Sequence, residues 1–237
     1  MPDVSVILPC YNPPQDWERN VVEHYTAFCD RIKDTVELII VIDGVSDRVT
    51  DTQLQWLRQQ IPGICLVQYT TNMGKGYAIR QGVQQASGQI IIYTDIDFPY
   101  TADSMYFVYA GLAANHTDLA IGIKDEQYYS HQPALRRSIS RILQGMIKLC
   151  FSLPVSDTQC GLKGFRKGVA PVFTATTINR YLFDLEFIRN CYRSRQYRIS
   201  AIPVSLRDGI HFRKMNYRIL LPELLNFVSI ISKRPNE

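Results

Sequence analysis

The chain has 237 residues, 46% of them hydrophobic, and a formal net charge of +4. Length and apolar content suit one large globular domain with an ample core. The mild positive balance, without a dense basic run or an aromatic-basic motif, excludes nucleic acid as the expected partner and is compatible with phosphate-bearing ligands or an anionic membrane surface.

In chain order, Val4 to Leu8 reads as a strand that stops at the breaker cluster Pro9-Cys10-Tyr11-Asn12-Pro13-Pro14. Asp16 to Cys29 has helical spacing with Asp16 as the expected cap. Val36 to Ile42 is a β-branched strand ending at Asp43-Gly44, and Thr52 to Gln60 a helix stopped by Pro62-Gly63. A strand from Ile64 to Tyr69, a helix from Gly76 to Ala86 and a strand from Ile90 to Tyr93 follow. This alternation predicts a doubly wound, mostly parallel α/β sheet, whose ligands bind at the carboxyl ends of the strands. Tyr11-Asn12, Asp43, Asn72 and Asp95/Asp97 all fall at that edge. In the second half, Ala120 to Ile123 reads as a strand and Ala134 to Leu153 as one long amphipathic helix carrying Arg136, Arg137, Arg141 and Lys148. Val155 to Phe165 is polar and glycine-punctuated, Phe183 to Arg193 reads as helix and Ile199 to Val204 as strand. One domain, residues 1–237, is expected.

Cys10, Cys29, Cys65, Cys150, Cys160 and Cys191 are scattered without a C-x-x-C pair. That argues against zinc and a disulfide scaffold and fits a reducing cytoplasm. Met1-Pro2-Asp3-Val4 has no signal-peptide character, and no apolar run approaches the ~20 residues that span a bilayer.

The most informative segment is Thr94-Asp95-Ile96-Asp97-Phe98-Pro99, which sets two carboxylates at i and i+2 where a buried strand ends. Buried carboxylates need partners, and Mg²⁺ is typically held by one or two carboxylates plus substrate phosphates. A helix-capping pair would look the same. Asn72-Met73-Gly74-Lys75-Gly76 follows a strand and opens a helix, where glycines, helix N-terminal amides and a lysine suit phosphate; a plain glycine turn is the alternative. It is neither a Walker loop nor a dinucleotide fingerprint. Ser156-Asp157-Thr158-Gln159-Cys160-Gly161-Leu162-Lys163 offers Asp157 as base or charge partner, and Gln159 and Lys163 as ligand contacts; a capped turn is the alternative. Phe183-Asp184-Leu185-Glu186 puts two carboxylates at a helix start, where the dipole favours them anyway. Asp208-Gly209-Ile210-His211-Phe212-Arg213-Lys214 is a cationic loop, a phosphate clamp or merely a solvated segment.

Together these residues resemble the family 2 glycosyltransferases of GT-A fold, from Val4 to about Lys214. The order V-S-V-I-L-P-C-Y-N, Asp43-Gly44, N-x-G-K-G-x-A-x-R-x-G, D-x-D, D-T-Q-C-G-x-K-G-F, F-D-x-E and I-P-V carries the resemblance, and D-T-Q-C-G-x-K with F-D-x-E looks like the polyprenyl- or dolichyl-phosphate branch. The resemblance implies an inverting, metal-dependent transfer of a sugar from a nucleotide-diphosphate donor to a lipid phosphate. It implies that Pro9, Tyr11 and Asp43 bind the nucleoside and that Asn72, Gly74 and Lys75 lie along the donor. Asp95 and Asp97 would meet Mg²⁺ or Mn²⁺ and the diphosphate, and Asp97, Asp157 and Gln159 would form the catalytic set. Lys163, His211, Arg213 and Lys214 would meet the acceptor phosphate. Residues 1–115 would form the donor half, 116–215 the acceptor half and 216–237 a C-terminal amphipathic segment. The chain would sit peripherally on the cytoplasmic membrane face; the sequence leaves its oligomeric state open. Pro13 stands where the family usually has glutamate, Ile42 where it usually has a second aspartate, and Gly209-Ile210-His211 where a phosphate-binding triplet is expected. A glycan or other hydroxyl acceptor, and a non-catalytic nucleotide-sugar binding protein, are the competing readings. A sugar-nucleotide nucleotidyltransferase would need a glycine-rich basic loop after the first strand, which Pro9 to Pro14 is not.

Overall fold

The structure is a computed structural model that describes residues 1–124, 144–147, 150, 151, 153, 155, 157–208 and 220–232. The elements are β1 (Val4–Cys10), α1 (Trp17–Cys29), β2 (Val36–Asp43), α2 (Asp51–Gln60), β3 (Cys65–Tyr69), α3 (Lys75–Gln85), β4 (Ile90–Tyr93), α4 (Ala102–Ala113), β5 (Leu119–Lys124), β6 (Lys163–Arg166), α5 (Ala170–Thr174), α6 (Phe183–Ser194), β7 (Ile199–Val204) and α7 (Leu220–Ser232).

The strands form one seven-stranded sheet in the order β3-β2-β1-β4-β6-β5-β7. The β1–β2, β2–β3, β1–β4 and β5–β7 pairs are parallel, while β6 runs antiparallel to both β4 and β5. Side chains alternate between the faces, so a run buried on both sides feeds two cores. Val6, Leu8, Leu38, Ile40 and Ile92 pack with Trp17 and Phe28 of α1, Leu54 and Leu57 of α2, and Val108 and Leu112 of α4. Ile7, Ile39, Val41, Ile91 and Tyr93 pack with Ala78, Ile79 and Val83 of α3 and with Phe173, Phe183 and Phe187 of α5 and α6. This is the expected doubly wound arrangement, with β6 as its antiparallel exception.

Three local expectations change, and one helix, α4, was not foreseen. The tail of the segment expected as a glycine-punctuated loop becomes β6; its Lys-Gly-Phe-Arg composition carries little β-propensity, and its pairing with β4 and β5 supplies the order instead. α4 had no sequence signal because aromatic and apolar residues in Met105-Tyr106-Phe107-Val108-Tyr109 blur the helical period, although Thr101 caps it by accepting from Ser104 N at 3.1 Å. Asp16 precedes α1 but makes no side-chain cap: its φ of 55° and ψ of 26° are left-handed, whereas a capping residue is normally extended. Of the long helix expected over Ala134 to Leu153, residues 144–147, 150 and 151 are helical and Leu153 is not. Arg136, Arg137, Arg141 and Lys148 lie outside the described residues, as do His211, Arg213 and Lys214.

Candidate active site at the carboxyl edge of the sheet

The carboxyl ends of β1, β2 and β4 bring the first-half candidates to one edge. Pro9 lies in β1, half-buried and in register with Val41. Tyr11, just beyond, is 45% exposed. Asn12 takes a left-handed φ of 45° and accepts from Ser46 Oγ at 2.7 Å, tying the loop after β1 to the loop after β2.

Asp43 ends β2 and is buried. Its Oδ1 accepts from Met73 N at 2.7 Å, and its Oδ2 from Gly74 N and Asn72 Nδ2, both at 2.8 Å. The carboxylate expected to bind nucleoside is therefore engaged by the following loop. Burial, then the negative charge of nearby Asp43, also pushes the Tyr69 phenol above its ordinary pKa.

The α3 N-terminus is likewise engaged. Gly76 N and Tyr77 N donate to Asn179 O at 2.8 and 3.3 Å. Gly74 has a φ of 106°, and an added Cβ would fall 2.5 Å from that same carbonyl. The amides of residues 73, 74, 76 and 77, read from sequence as a phosphate cradle, are thus bound by protein acceptors. Arg80 fixes the partner loop by donating to Thr176 Oγ1 at 3.2 Å, Ile178 O at 2.9 Å and Asn179 Oδ1. Glu186 holds the same loop, accepting from Thr177 N at 2.9 Å and Ile178 N at 2.8 Å. Beside these loops lies a cavity of about 450 Å³ lined by Asn72, Met73, Arg180, Asn226 and Ser229 among others; its lining includes neither Asp95 nor Asp97.

The Lys75 side chain is what this loop presents to the acidic turn. Its ammonium meets Asp95 Oδ1 at 2.5 Å, with 26% of the lysine and 39% of the aspartate side chain exposed. Burial alone would lower the lysine pKa, but Asp95, Asp184 and Asp97 together hold it above the ordinary value.

Asp95 to Phe98 forms a tight turn closed by Phe98 N donating to Asp95 O at 2.9 Å, with Phe98 at a φ of 44°. Positive φ is an outlier for a bulky residue. The loop of residues 157–162 closes over the turn: Tyr100 OH accepts from Gly161 N at 3.0 Å and Cys160 Sγ at 3.3 Å. Gly161 is so close that a Cβ there would collide with Asp95 Oδ2. Asp157 is buried, its Oδ1 accepting from Gln159 N at 3.3 Å. The Thr94 and Thr158 hydroxyls are buried without a hydrogen-bond partner.

Lys163 does not present an ammonium to a ligand. It is fully buried, 3.1 Å from Asp184 Oδ2, donates to Cys160 O and lies 5.7 Å from the Tyr93 ring centroid. Tyr93 OH donates to Asp184 Oδ1 at 2.6 Å. Burial, then Asp184, raises the Tyr93 phenol well above its ordinary pKa. The first acid of F-D-x-E is thus a buried counter-ion and the second a loop anchor, beyond what a helix dipole would ask.

Sequence reasoning missed Tyr100 and Arg207, and gave no role to Arg80, the arginine of the N-x-G-K-G-x-A-x-R-x-G string. Arg207 Nε donates to Phe98 O at 2.5 Å and its Nη2 to Asp97 O at 2.8 Å and Asn20 Oδ1 at 3.1 Å. The available signal was a lone arginine just beyond β7.

The donor chemistry of the turn fits a hard divalent cation. Two carboxylates two residues apart leave Asp95 partly open, and no cluster of three or more His, Cys, Asp or Glu side chains suited to a metal occurs among the described residues. Carboxylate oxygens are the hard ligands that Mg²⁺ or Mn²⁺ would take.

The sequence profile of glycosyl transferase family 2 matches residues 5–172, and the chain belongs to that family. A dolichyl-phosphate beta-glucosyltransferase from Drosophila melanogaster is 27% identical over 202 residues, covering 78% of this chain and 61% of the relative. An undecaprenyl-phosphate 4-deoxy-4-formamido-L-arabinose transferase from Serratia proteamaculans is 28% identical over 178 residues, covering 70% of this chain and 49% of the relative. The chain thus spans about three fifths of the first relative's length and half of the second's. Among solved structures, glucosyl-3-phosphoglycerate synthase from Mycobacterium tuberculosis, in complex with Mn²⁺, UDP and glucosyl-3-phosphoglycerate, superposes with a TM-score of 0.64 at 15% identity, covering 97% of this chain and 78% of that one. A mannosyltransferase from Pyrobaculum calidifontis in complex with GDP-Man and Mn²⁺ superposes at 0.62 and 17% identity, covering 100% and 66%. The fold is GT-A, as the resemblance implied.

Proposed function

We propose that the chain transfers a sugar, with inversion, from a nucleotide-diphosphate sugar to a polyprenyl phosphate. The observation that carries this reading is the acidic turn of Asp95 and Asp97 at the carboxyl edge, with Lys75 on one side and the Gly161 loop on the other. The relatives named for dolichyl and undecaprenyl phosphates support the acceptor class.

In this reading Asp95 and Asp97 hold Mg²⁺ or Mn²⁺, which when bound stabilises the charge gathering on the leaving diphosphate. Lys75 shares that charge. Pro9 and Tyr11 border the nucleoside, while Asp43 acts through the loop it holds. The acceptor phosphate oxygen forms a bond to the anomeric carbon from the face opposite the leaving diphosphate, whose oxygen keeps the electron pair. A phosphate acceptor is already anionic and needs no base; Asp157 and Gln159 then serve to orient sugar and acceptor. Residues 1–115 serve the donor and 116–215 the acceptor, the two sharing one sheet through the β4–β6 pair.

Among the described residues no helix is long and apolar enough to cross a membrane. α7 buries Phe227 and Ile230 and turns Leu225, Val228 and Ile231 outward, 66%, 55% and 45% exposed. That outer face suits peripheral attachment to a lipid surface. Co-sedimentation of the chain with anionic vesicles, lost on Leu225→Glu/Val228→Glu, is the expected result; a chain left in the supernatant contradicts it.

Burial of Lys163 favours a second reading. With that cation unavailable to an acceptor phosphate, a hydroxyl acceptor with Asp157 as base is the competing chemistry. The two separate when labelled donor is offered polyprenyl phosphate and soluble glycans in parallel. Label in the organic phase supports the first, and label only on soluble acceptor supports the second.

A further inference from the structure

We propose that Arg207 is a positioning residue for the cation-binding turn, setting the geometry of Asp95 and Asp97 from the segment that follows β7. The proposal rests on the reading of that turn as the cation site. The residue lies outside every sequence motif named above.

The turn needs an outside constraint. Its last residue, Phe98, has a φ of 44°, which a bulky side chain adopts only when its surroundings hold it there. The carbonyls of Asp97 and Phe98 are collected by one guanidinium, Nη2 at 2.8 Å and Nε at 2.5 Å. A rigid planar fork suits two adjacent acceptors in a way that a single ammonium does not. The same Nη2 reaches Asn20 Oδ1 of α1 at 3.1 Å, so the fork is itself braced. His24, one turn further along α1, packs its ring on Phe98 with centroids 6.1 Å apart.

The backbone around Arg207 makes the same connection. Arg207 N donates to Pro99 O at 2.9 Å, and Tyr100 bridges Leu206 in antiparallel fashion. Thr101 N donates to Ser205 O at 3.1 Å, and Ser205 N to Ser104 Oγ at 2.9 Å. Residues 205–207 thus run as a strap along 97–101. Arg207 directs Nε and Nη2 to main-chain oxygens, so it fixes the peptide planes from which the carboxylates project. Groups that orient metal ligands in this indirect way typically change metal affinity by about 10–100-fold when removed.

The test is Mn²⁺ binding to the purified full chain, followed by electron paramagnetic resonance of free Mn²⁺, which needs neither donor nor turnover. Wild type, Arg207→Ala, Arg207→Lys and Asp97→Asn are compared, each with a thermal melt. Arg207→Ala is expected to weaken Mn²⁺ binding at least about tenfold. Arg207→Lys, which keeps charge but cannot span both carbonyls, is expected to fall between. Should Arg207→Ala fail to fold, the lysine variant and Asn20→Ala, which removes the brace alone, carry the test with the same direction of change. Wild-type affinity in Arg207→Ala and Arg207→Lys, with binding lost in Asp97→Asn, overturns the role of Arg207 and leaves the cation site standing. Wild type that does not bind Mn²⁺ overturns both.

Discussion

Lys75 and Asp95 meet at 2.5 Å with 26% and 39% of their side chains exposed, whereas Lys163 and Asp184 meet at 3.1 Å with 0% and 5% exposed. The residue types are the same and the surroundings opposite. Asp184 takes the Tyr93 hydroxyl on its other oxygen, and Lys163 also donates to Cys160 O, so the inner pair is knitted into the core under the β6 strand. Asp95 has Gly161 against its second oxygen, where any side chain would collide, and its remaining surface opens outward. A lysine–aspartate pair is thus structural or available to a ligand according to what closes around it. Motif strings, which contain both pairs, do not tell them apart.

The largest effect expected is on the inner pair. Lys163→Met leaves a buried carboxylate without its counter-ion, which costs about 3–5 kcal/mol, and should lower the melting temperature by roughly 10 °C. The paired replacement Lys163→Met/Asp184→Leu should recover part of that loss, because removing both charges is milder than stranding one. A melting temperature unchanged in Lys163→Met would break the comparison from its structural side.

Next comes the outer turn. Asp97→Asn should lower transfer by roughly 10²–10³-fold with a melting curve close to wild type, and chelation of divalent metal should produce a loss of the same size. If transfer survives chelation, the cation has no part in the reaction.

A smaller change is expected from Lys75→Met. Its pair with Asp95 is partly solvated, so stability should move by less than about 1 kcal/mol, while kcat/KM falls roughly 10–100-fold through loss of a charged contact to the donor. Equal losses of stability in Lys75→Met and Lys163→Met would show that the pairs do not differ.

The smallest effect is on pH dependence. Lys75 gains its partners in the folded chain, so its folded pKa lies above the ordinary 10.5. Its contribution to stability is then full below that value and lost as pH rises through the folded pKa, because the folded state holds the proton longer than the unfolded one. Melting curves of wild type and Lys75→Met should converge on the alkaline side of 10.5 and differ below it. Divergence with rising pH contradicts the assignment.

The contrast also shows what was legible in the sequence. The β-branched runs of β1, β2 and β4 and the breakers after them announced a parallel sheet with the candidates at its carboxyl edge, because period and punctuation are local properties. The turn of Asp95 and Asp97 was readable for the same reason. What the candidates do at that edge was less so. Asp43 and the α3 amides looked like ligand groups, but their acceptors and donors come from loops about 30 and 100 residues away along the chain. Lys163 looked like a loop cation because β6 is held by pairing with β4 and β5 and carries no strand pattern of its own. Arg207 stood outside every motif, and only the strap of residues 205–207 reveals what it holds.

The central claim, metal-dependent transfer to a lipid phosphate at the acidic turn, is tested most directly by incubating the chain with radiolabelled nucleotide-diphosphate sugars, polyprenyl phosphate in detergent and Mg²⁺ or Mn²⁺, then counting the organic phase. The account predicts label in the organic phase from wild type, lowered roughly 10²–10³-fold by chelation and by Asp97→Asn. No lipid-linked label with any donor, while soluble hydroxyl acceptors become labelled or the donor is bound without turnover, would contradict it.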